Sequence, residues 1–297
     1  MRIATLTVSN AALNQIGDLT QNLSKVQTQI STGQRVSRPE DDPSSVGRII
    51  NLQIEQQQLA QYQQNASRAL ETSQASSSAL TDIKSLADRA SEIAAYGSST
   101  ESDSEASAYA TETNQLLEQA VQSANATQNG SYLFGGTAVD TSPFHVTRDA
   151  SGNITNIAYV GSATAASVPI SSSTSISPNS DPATNQALAD FMNHLVSLRD
   201  ALTANDTTAA ATASTGLDTT ENTIINGISE AGAIQSRIQV NQDQMTQQAT
   251  HLGQSVSSER DVDMSKAMIT LSQTQVAYQA ALQSTTTIMS KSLMDYL

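Results

Sequence analysis

Cysteine and tryptophan are both missing from this 297-residue chain. Without thiols there is neither a disulfide nor a thiolate metal site. Aromatic residues make up only 3% of the sequence, which argues against a conventional globular core built on large rings. Positive charge is scarce as well: 14 Lys and Arg stand against 28 Asp and Glu, for a net charge of −14. That balance disfavours nucleic acid, whose phosphates need a basic face. It equally disfavours an anionic membrane surface. The three histidines, His145, His194 and His251, lack metal-ligand spacing. No apolar run reaches 18 residues, and the opening MRIATLTVSNAALNQ has no continuous apolar signal core. The expectation is a protein that is not integral to a membrane and that, if exported, does not use a cleaved signal of that type.

What the sequence does contain is Ala, Ser, Thr, Gln and Asn in helical patterns. The first apolar stripe runs Leu6, Leu13, Ile16, Leu19, Leu23, Val26, Ile30, and its later steps of 4, 3 and 4 are the heptad spacing. Gly33 stands where a glycine would close that helix. Asp42 suits an N-cap, with Pro43 at the first helical position. Pro39 blocks continuation from the preceding helix. QISTGQRVSRPEDDPSSVGRI, residues 29–49, therefore reads as a connector between two helices. Gly33, Pro39 and Pro43 set the change of direction, and Asp41 and Asp42 complement the dipole of the second helix. A well-capped helix–helix loop would carry the same chemistry.

From Pro43 no proline appears until Pro143. The stripe Leu59, Tyr62, Ala66, Ala69, Ser73, Ser76, Leu80, Ile83, Ala87, Ala90, Ala94 predicts one helix over 43–96, with small residues for close approach of its partners. Ser102 to Glu105 reads as a capping box opening a helix to about residue 128. Residues 141–183 hold most of the prolines and many β-branched residues. They predict a small β-rich insert with a hairpin turning at 149–153. Helical pattern resumes over 187–202. A second long stripe follows: Ile224, Ile228, Ala231, Gln235, Ile238, Gln242, Met245, Ala249, Leu252, Val256. After a soft spot at Ser257, Ser258 and Asp261, the last stripe is Met264, Met268, Leu271, Gln275, Tyr278, Leu282, Thr285, Met289, Ser292, Tyr296.

The arrangement is mirror-like. It predicts a mainly α protein: a long antiparallel helical bundle or coiled coil formed by the N- and C-terminal halves, carrying a small β-rich inserted domain. The expected divisions are terminal helices at 1–40 and 258–297, a long-helix bundle at 41–140 and 184–257, and the insert at 141–183. Leu293, Leu297, Met294, Ile3 and Ile288 fall outside the main seams and need further cover, from other copies or other proteins. Contacts of that head-to-tail kind build helical tubes. An ordinary antiparallel coiled coil with a widened core face satisfies the same periodicity.

The architecture resembles the flagellin family of bacterial axial proteins over essentially the full chain. MRIATLTVSN, the connector, NGSYLFGGT at 129–137 and the ending SLMDYL are more similar to its hook–filament junction members than to its filament members. The latter usually lack the two prolines at 39 and 43 and the YLFGG segment. The resemblance implies a structural, non-enzymatic role without cofactors. It implies export through the flagellar secretion channel, with a cytoplasmic stage before export and a chaperone holding the C-terminal region. The implied partners are other copies of the chain, the first hook-associated protein on the hook side and flagellin on the filament side. The implied assembly surface lies on the terminal helices, at Leu6, Leu13, Ile16, Leu23, Val26, Ile30, Met264, Met268, Leu271, Tyr278, Leu282, Met289, Leu293 and Leu297. A filament flagellin, an unrelated coiled-coil stalk and an adhesin-like protein are the alternatives.

No catalytic constellation stands out. Glu101, Asp103, Glu105, Ser107, Tyr109 and Glu112 coincide with calcium-loop positions, but Ala106 occupies the position that needs glycine. Gly135-Gly136 is not followed by the Lys-Ser/Thr of a phosphate loop.

Overall fold

A computed structural model describes the backbone of residues 2–99 and 102–294, with side chains described for residue 7 and for 9–99 and 102–287. Six helices dominate: α1 (Arg2–Thr32), α2 (Pro43–Gly97), α3 (Asp103–Ala124), α4 (Pro182–Thr203), α5 (Thr207–Arg260) and α6 (Met264–Met294). Three two-stranded antiparallel ribbons lie between α3 and α4: β1 (Thr127–Gln128) with β2 (Ser131–Tyr132), β3 (Phe144–Arg148) with β4 (Ile154–Tyr159), and β5 (Val168–Pro169) with β6 (Ser175–Ile176). The mainly helical fold with a small β-rich insert is thus the one expected. The chain divides into two compact units, residues 1–58 with 247–297 and residues 59–246. Both divisions fall inside the long helices α2 and α5.

In the unit of residues 59–246, α2 and α5 run antiparallel. Gln235 Nε2 donates to Ser73 O at 3.2 Å and Gln242 Nε2 to Ser67 Oγ at 3.3 Å. Both long stripes face inward: Leu59, Ala66, Ala69, Ser73, Ser76, Leu80, Ile83, Ala87, Ala90 and Ala94 are buried on α2, with Ile224, Ala231, Ile238 and Met245 on α5. Two glycines of α5 admit α4 closely. A Cβ at Gly216 would overlap the His194 ring, and one at Gly227 would stand 2.7 Å from Thr184 Cγ2. The core continues through Leu117 of α3 and Leu188, Phe191, Met192, Leu195 and Leu198 of α4, and closes on Phe134, Phe144, Ile154 and Ile157 of the segment between α3 and α4.

The hairpin turns where expected. Asp149 Oδ1 accepts from the N–H groups of Ser151 and Asn153, and Gly152 takes φ +89°. Two local expectations fail. Ser102 has the extended backbone of an N-cap, yet its side chain makes no capping hydrogen bond. The helix it opens ends at Ala124, not near 128, because Asn125 turns away to serve the insert. Its Oδ1 accepts from Phe144 N at 3.2 Å and its Nδ2 donates to Phe144 O. Residues 127–132 then form a ribbon on an Asn129-Gly130 turn, both with positive φ, the usual two-residue hairpin chemistry.

Of the calcium-like stretch, Glu101 lies outside the described residues, and from Asp103 onward the chain is helix and not the loop such a site is built on. Glu112 is held by Arg89, with Nε to Oε1 at 2.7 Å, and Asp103 Oδ1 accepts from Asn205 Nδ2 at 2.7 Å. Among the described residues no group of three or more His, Cys, Asp or Glu could hold a metal, and no helix is long and apolar enough to cross a membrane.

Candidate functional site: the joint between terminal and long helices

In the other unit the chain passes twice between a terminal helix and a long one, and the two passages are tied together. On the outgoing passage α1 stops at Thr32, and Gly33 takes φ +71°, the left-handed closing conformation that glycine adopts without a Cβ penalty. Arg38 to Asp41 is a β-turn, with Asp41 N–H donating to Arg38 O at 3.0 Å. Pro39 occupies its second position, for which its fixed φ is suited. Pro39 therefore shapes a turn as well as blocking helix. Asp42 caps α2 as expected: its Oδ1 accepts from Ser45 N–H at 3.1 Å, and Pro43 is the first helical residue.

Asp41 does not do what the sequence suggested. Its Oδ2 accepts from the N–H groups of Ser37 and Arg38, and its Oδ1 lies 3.0 Å from Lys25 Nζ of α1. It ties the turn to α1 and leaves the dipole of α2 to Asp42. Lys25 first, then those backbone donors, hold its carboxyl below the usual range.

The return passage is short. α5 ends at Arg260, Asp263 caps α6 by accepting from Lys266 N–H at 3.1 Å, and α6 begins at Met264. Between them Asp261 pairs with Gln34 in an antiparallel bridge. Arg35 N–H donates to Arg260 O at 2.7 Å and Val262 N–H to Gly33 O at 2.9 Å.

Side chains clasp the same place. Arg48 grips Glu259 with two parallel bonds, Nε to Oε1 and Nη2 to Oε2, both 2.9 Å. This is the fork geometry that an ammonium cannot reproduce. Arg35 reaches Asp42 Oδ2 at 3.2 Å through Nη1, and Ser45 Oγ at 3.1 Å and Glu259 O at 2.7 Å through Nη2. Ser45, only 1% exposed, sits at the centre. Its one hydroxyl proton goes to Asp42 Oδ2 at 2.6 Å, nearer than Glu259 Oε2 at 3.2 Å, while its oxygen accepts from both arginines. Buried Val36, Ile49 and Val256 supply apolar cover.

The electrostatics have a definite sign with pH. The Ser45 hydroxyl and N–H, then Arg35, hold the Asp42 carboxyl far below its ordinary value. The Arg48 guanidinium lowers that of Glu259. Lowered carboxylate pKa values mean stability that is present above the ordinary carboxylate range and lost as pH falls through the depressed values. Proteolysis within 33–42 and 260–263 is therefore expected to be slow and flat from pH 8 to 5 and to accelerate only below about pH 4. In Glu259→Gln the cleavage rate at pH 7 should already be raised, with a shallower acid dependence. Equal pH profiles for the two proteins would remove Glu259 from the clasp.

Of the connector residues read from sequence, Gly33, Pro39, Asp41, Asp42 and Pro43 all lie in this joint. Ser45, Arg35, Arg48, Glu259 and Asp263 were missed. The last bore an N-cap signal, an acid just before a helical stripe. The pairing of Arg48 with Glu259 crosses most of the sequence and left no local trace.

The terminal helices α1 and α6 pack together through only part of the C-terminal stripe: Leu271, Tyr278 and Thr285 face inward, whereas Met264, Met268, Gln275 and Leu282 do not. On α6 the inward line is Ala267, Leu271, Thr274, Tyr278, Ala281 and Thr285. Met264, Met268 and Leu282 lie beside that line and are 41%, 58% and 40% exposed. The pair selects small residues for its seam because they allow close approach, which rotates the bulkier methionines and leucine outward. On α1, Val26 is buried, Ile16, Leu23 and Ile30 are half-buried, and Leu13 is 52% exposed. The side chains of Leu6, Met289 and Leu293, and the whole of Leu297, lie outside the described residues, as do those of Ile3, Ile288 and Met294.

Residues 3–139 match the bacterial flagellin N-terminal helical region, and residues 214–297 match the bacterial flagellin C-terminal helical region. Flagellar hook-associated protein 3 of Salmonella typhimurium is 30% identical over 146 residues, 48% of this chain and 46% of that protein. The protein of the same description from Escherichia coli is 31% identical over the same length and shares. The chain thus spans just under half the length of the curated relatives it matches. Among solved structures, a flagellar hook-associated protein from Vibrio parahaemolyticus shares the fold with a TM-score of 0.66 at 18% identity, over 74% of this chain and 100% of that one. Bacillus cereus FlgL does so with a TM-score of 0.59 at 18% identity, over 70% and 99%. The two matched helical regions flank the insert in chain order and together take in both terminal helices and the joint; the chain belongs to the bacterial flagellin family.

Proposed function

We propose that the chain is a structural component of the bacterial flagellum, a hook-associated junction protein that links hook to filament by helical packing of its subunits. The observation that carries this reading is the similarity to flagellar hook-associated protein 3. The joint supports it: two passages clasped at one place hold the terminal helices as a separate pair, whose exposed Met264, Met268 and Leu282 are available to neighbours. In this reading residues 1–40 and 258–297 form the inner, assembly-forming part, 41–140 with 184–257 the bundle around it, and 141–183 an outward insert. The terminal positions from Leu6 to Ile30 and from Met264 to Leu297 supply subunit contacts. The partners are other copies of the chain, the first hook-associated protein on one side and flagellin on the other. A chaperone holds the C-terminal region before export from the cytoplasm. Nothing in this role calls for catalysis, a cofactor, nucleic acid or a membrane.

The test is seeded assembly followed by electron microscopy. Purified chain is added to hook ends carrying the first hook-associated protein and, separately, to sheared filament ends. Addition confined to hook ends and stopping after a short layer is the expected result. Unlimited growth from either seed would make the chain a filament flagellin, and no addition to either would reject the junction role.

A further inference from the structure

The two compact units differ sharply in charge. The unit of residues 59–246 carries nineteen acidic and six basic side chains, whereas residues 1–58 with 247–297 carry nine and eight. Nearly all of the chain's net charge of −14 therefore sits on the first of these. Five of its six cations are engaged within the unit, and only Arg237, exposed on α5, is left over. Lys84 pairs with Asp88, Arg89 with Glu92 and Glu112, Arg148 with Glu118, and Arg199 with Asp200. Arg68 donates to Asn65 Oδ1 and Gln64 O. Glu71, Asp82, Asp218, Glu230 and Asp243 are exposed and spread along α2 and α5. A second copy brought alongside this unit meets carboxylates with carboxylates and has almost no cation to offer in return. The other unit is nearly neutral, its charges cross-linked by Lys25–Asp41, Arg35–Asp42, Arg48–Glu259 and Arg260–Asp261. It also exposes the apolar residues Leu13, Ile50, Ile54, Met268, Ile269 and Val276.

From this segregation we infer that copies of the chain associate through the near-neutral unit while the acidic unit repels its counterpart, so that self-association is gated by ionic strength. The inference rests on the proposed role in a tube of subunits and adds its regulation. Attraction in the neutral unit is apolar and indifferent to modest salt. Repulsion between acidic units acts over the Debye length, which shrinks from roughly 20–30 Å in dilute buffer to about 8 Å at physiological ionic strength. Dilute medium therefore keeps the chain monomeric, and saline medium releases it to assemble.

Sedimentation velocity of the full chain at pH 7.5, from 20 to 300 mM NaCl, reads the effect directly. The partner variant carries Glu71→Gln, Asp82→Asn, Asp218→Asn, Glu230→Gln and Asp243→Asn, all exposed and outside the joint. The apparent dissociation constant of the native chain is expected to fall by about tenfold or more across the series, and that of the variant by less than about twofold, with the variant already associated at 20 mM. Equal salt dependence in both chains would reduce the effect to general salting-out and overturn the inference. So would salt-independent association, or no association of either chain at any salt. Seeded addition to hook ends at the same salts separates this from the junction role. Addition that is equally strong at all salts would leave that role standing while the gate falls, and absence of addition despite salt-gated self-association would do the reverse.

Discussion

Gly136→Ala is expected to lower the stability of the unit of residues 59–246 by about 2–5 kcal/mol. Two independent effects add at this residue. Its φ is +63°, where a Cβ costs about 1–2 kcal/mol. That Cβ would also stand 2.5 Å from Ser162 O and 2.9 Å from Thr164 O, backbone atoms that cannot rotate aside; such overpacking costs about 1–3 kcal/mol. The neighbouring structure has no slack to absorb the shift. Leu133 and Phe134 are buried in the core, Thr137 N–H donates to Thr164 O, and the Tyr159 hydroxyl lies 3.1 Å from both Phe134 O and Ser162 O. Gly152→Ala is the matched control. It too has positive φ, +89°, but nothing lies within 4 Å of its missing Cβ, so only the conformational cost of about 1–2 kcal/mol applies. Calorimetry should show the melting of this unit shifted down by about 5–15 °C for Gly136→Ala, and by distinctly less for Gly152→Ala. Equal shifts would mean that the carbonyls do move, and that the Gly-Gly pair is a turn and nothing more.

That comparison explains why YLFGG is recognisable as a string yet uninformative as physics until folded. Leu and Phe announce burial, but the partners that make Gly136 indispensable are carbonyls 26 and 28 positions away. The long helices are the opposite case. Their stripes repeat every three or four residues, so a local reading finds both the helix and its buried face, and α2 begins and ends within one residue of the expectation. Capping chemistry at Asp42 and Pro43 is local and was legible for the same reason. Asp41 was misassigned because a carboxylate beside a helix start has two uses, and only the position of Lys25 decides between them. The clasp between Arg48 and Glu259 spans 211 positions, beyond any pattern in the chain.

Met264, Met268 and Leu282 of the C-terminal stripe were misplaced for a related reason, and the misplacement yields the sharpest test of assembly. A stripe drawn through the largest apolar residues assumes that size marks the seam. In a two-helix pair the seam goes to residues that permit the closest approach, here Ala267, Thr274, Ala281 and Thr285, with Leu271 and Tyr278 between them. Large residues excluded from that seam stay in water unless another surface covers them. Met268→Asp combined with Leu282→Asp should therefore leave the helicity and melting of the isolated chain unchanged. If neighbours in the proposed tube bury what these two side chains still expose, 58% of Met268 and 40% of Leu282, each contributes about 0.7–1.5 kcal/mol of apolar transfer, so their joint loss should weaken seeded addition to hook ends by about tenfold to a hundredfold. Ala267→Asp is the counterpart. Ala267 is only 6% exposed against α1, and a carboxylate there is an unpaired buried charge. It should melt the terminal pair in the isolated chain, visible as lost helicity and rapid proteolysis of residues 1–32 and 264–294, while the unit of residues 59–246 keeps its own transition. If the double variant lost helicity instead, Met268 and Leu282 would belong to the pair's own seam. If it assembled normally, the exposed edge of α6 would face solvent in the tube, and subunit contacts would have to come from α1.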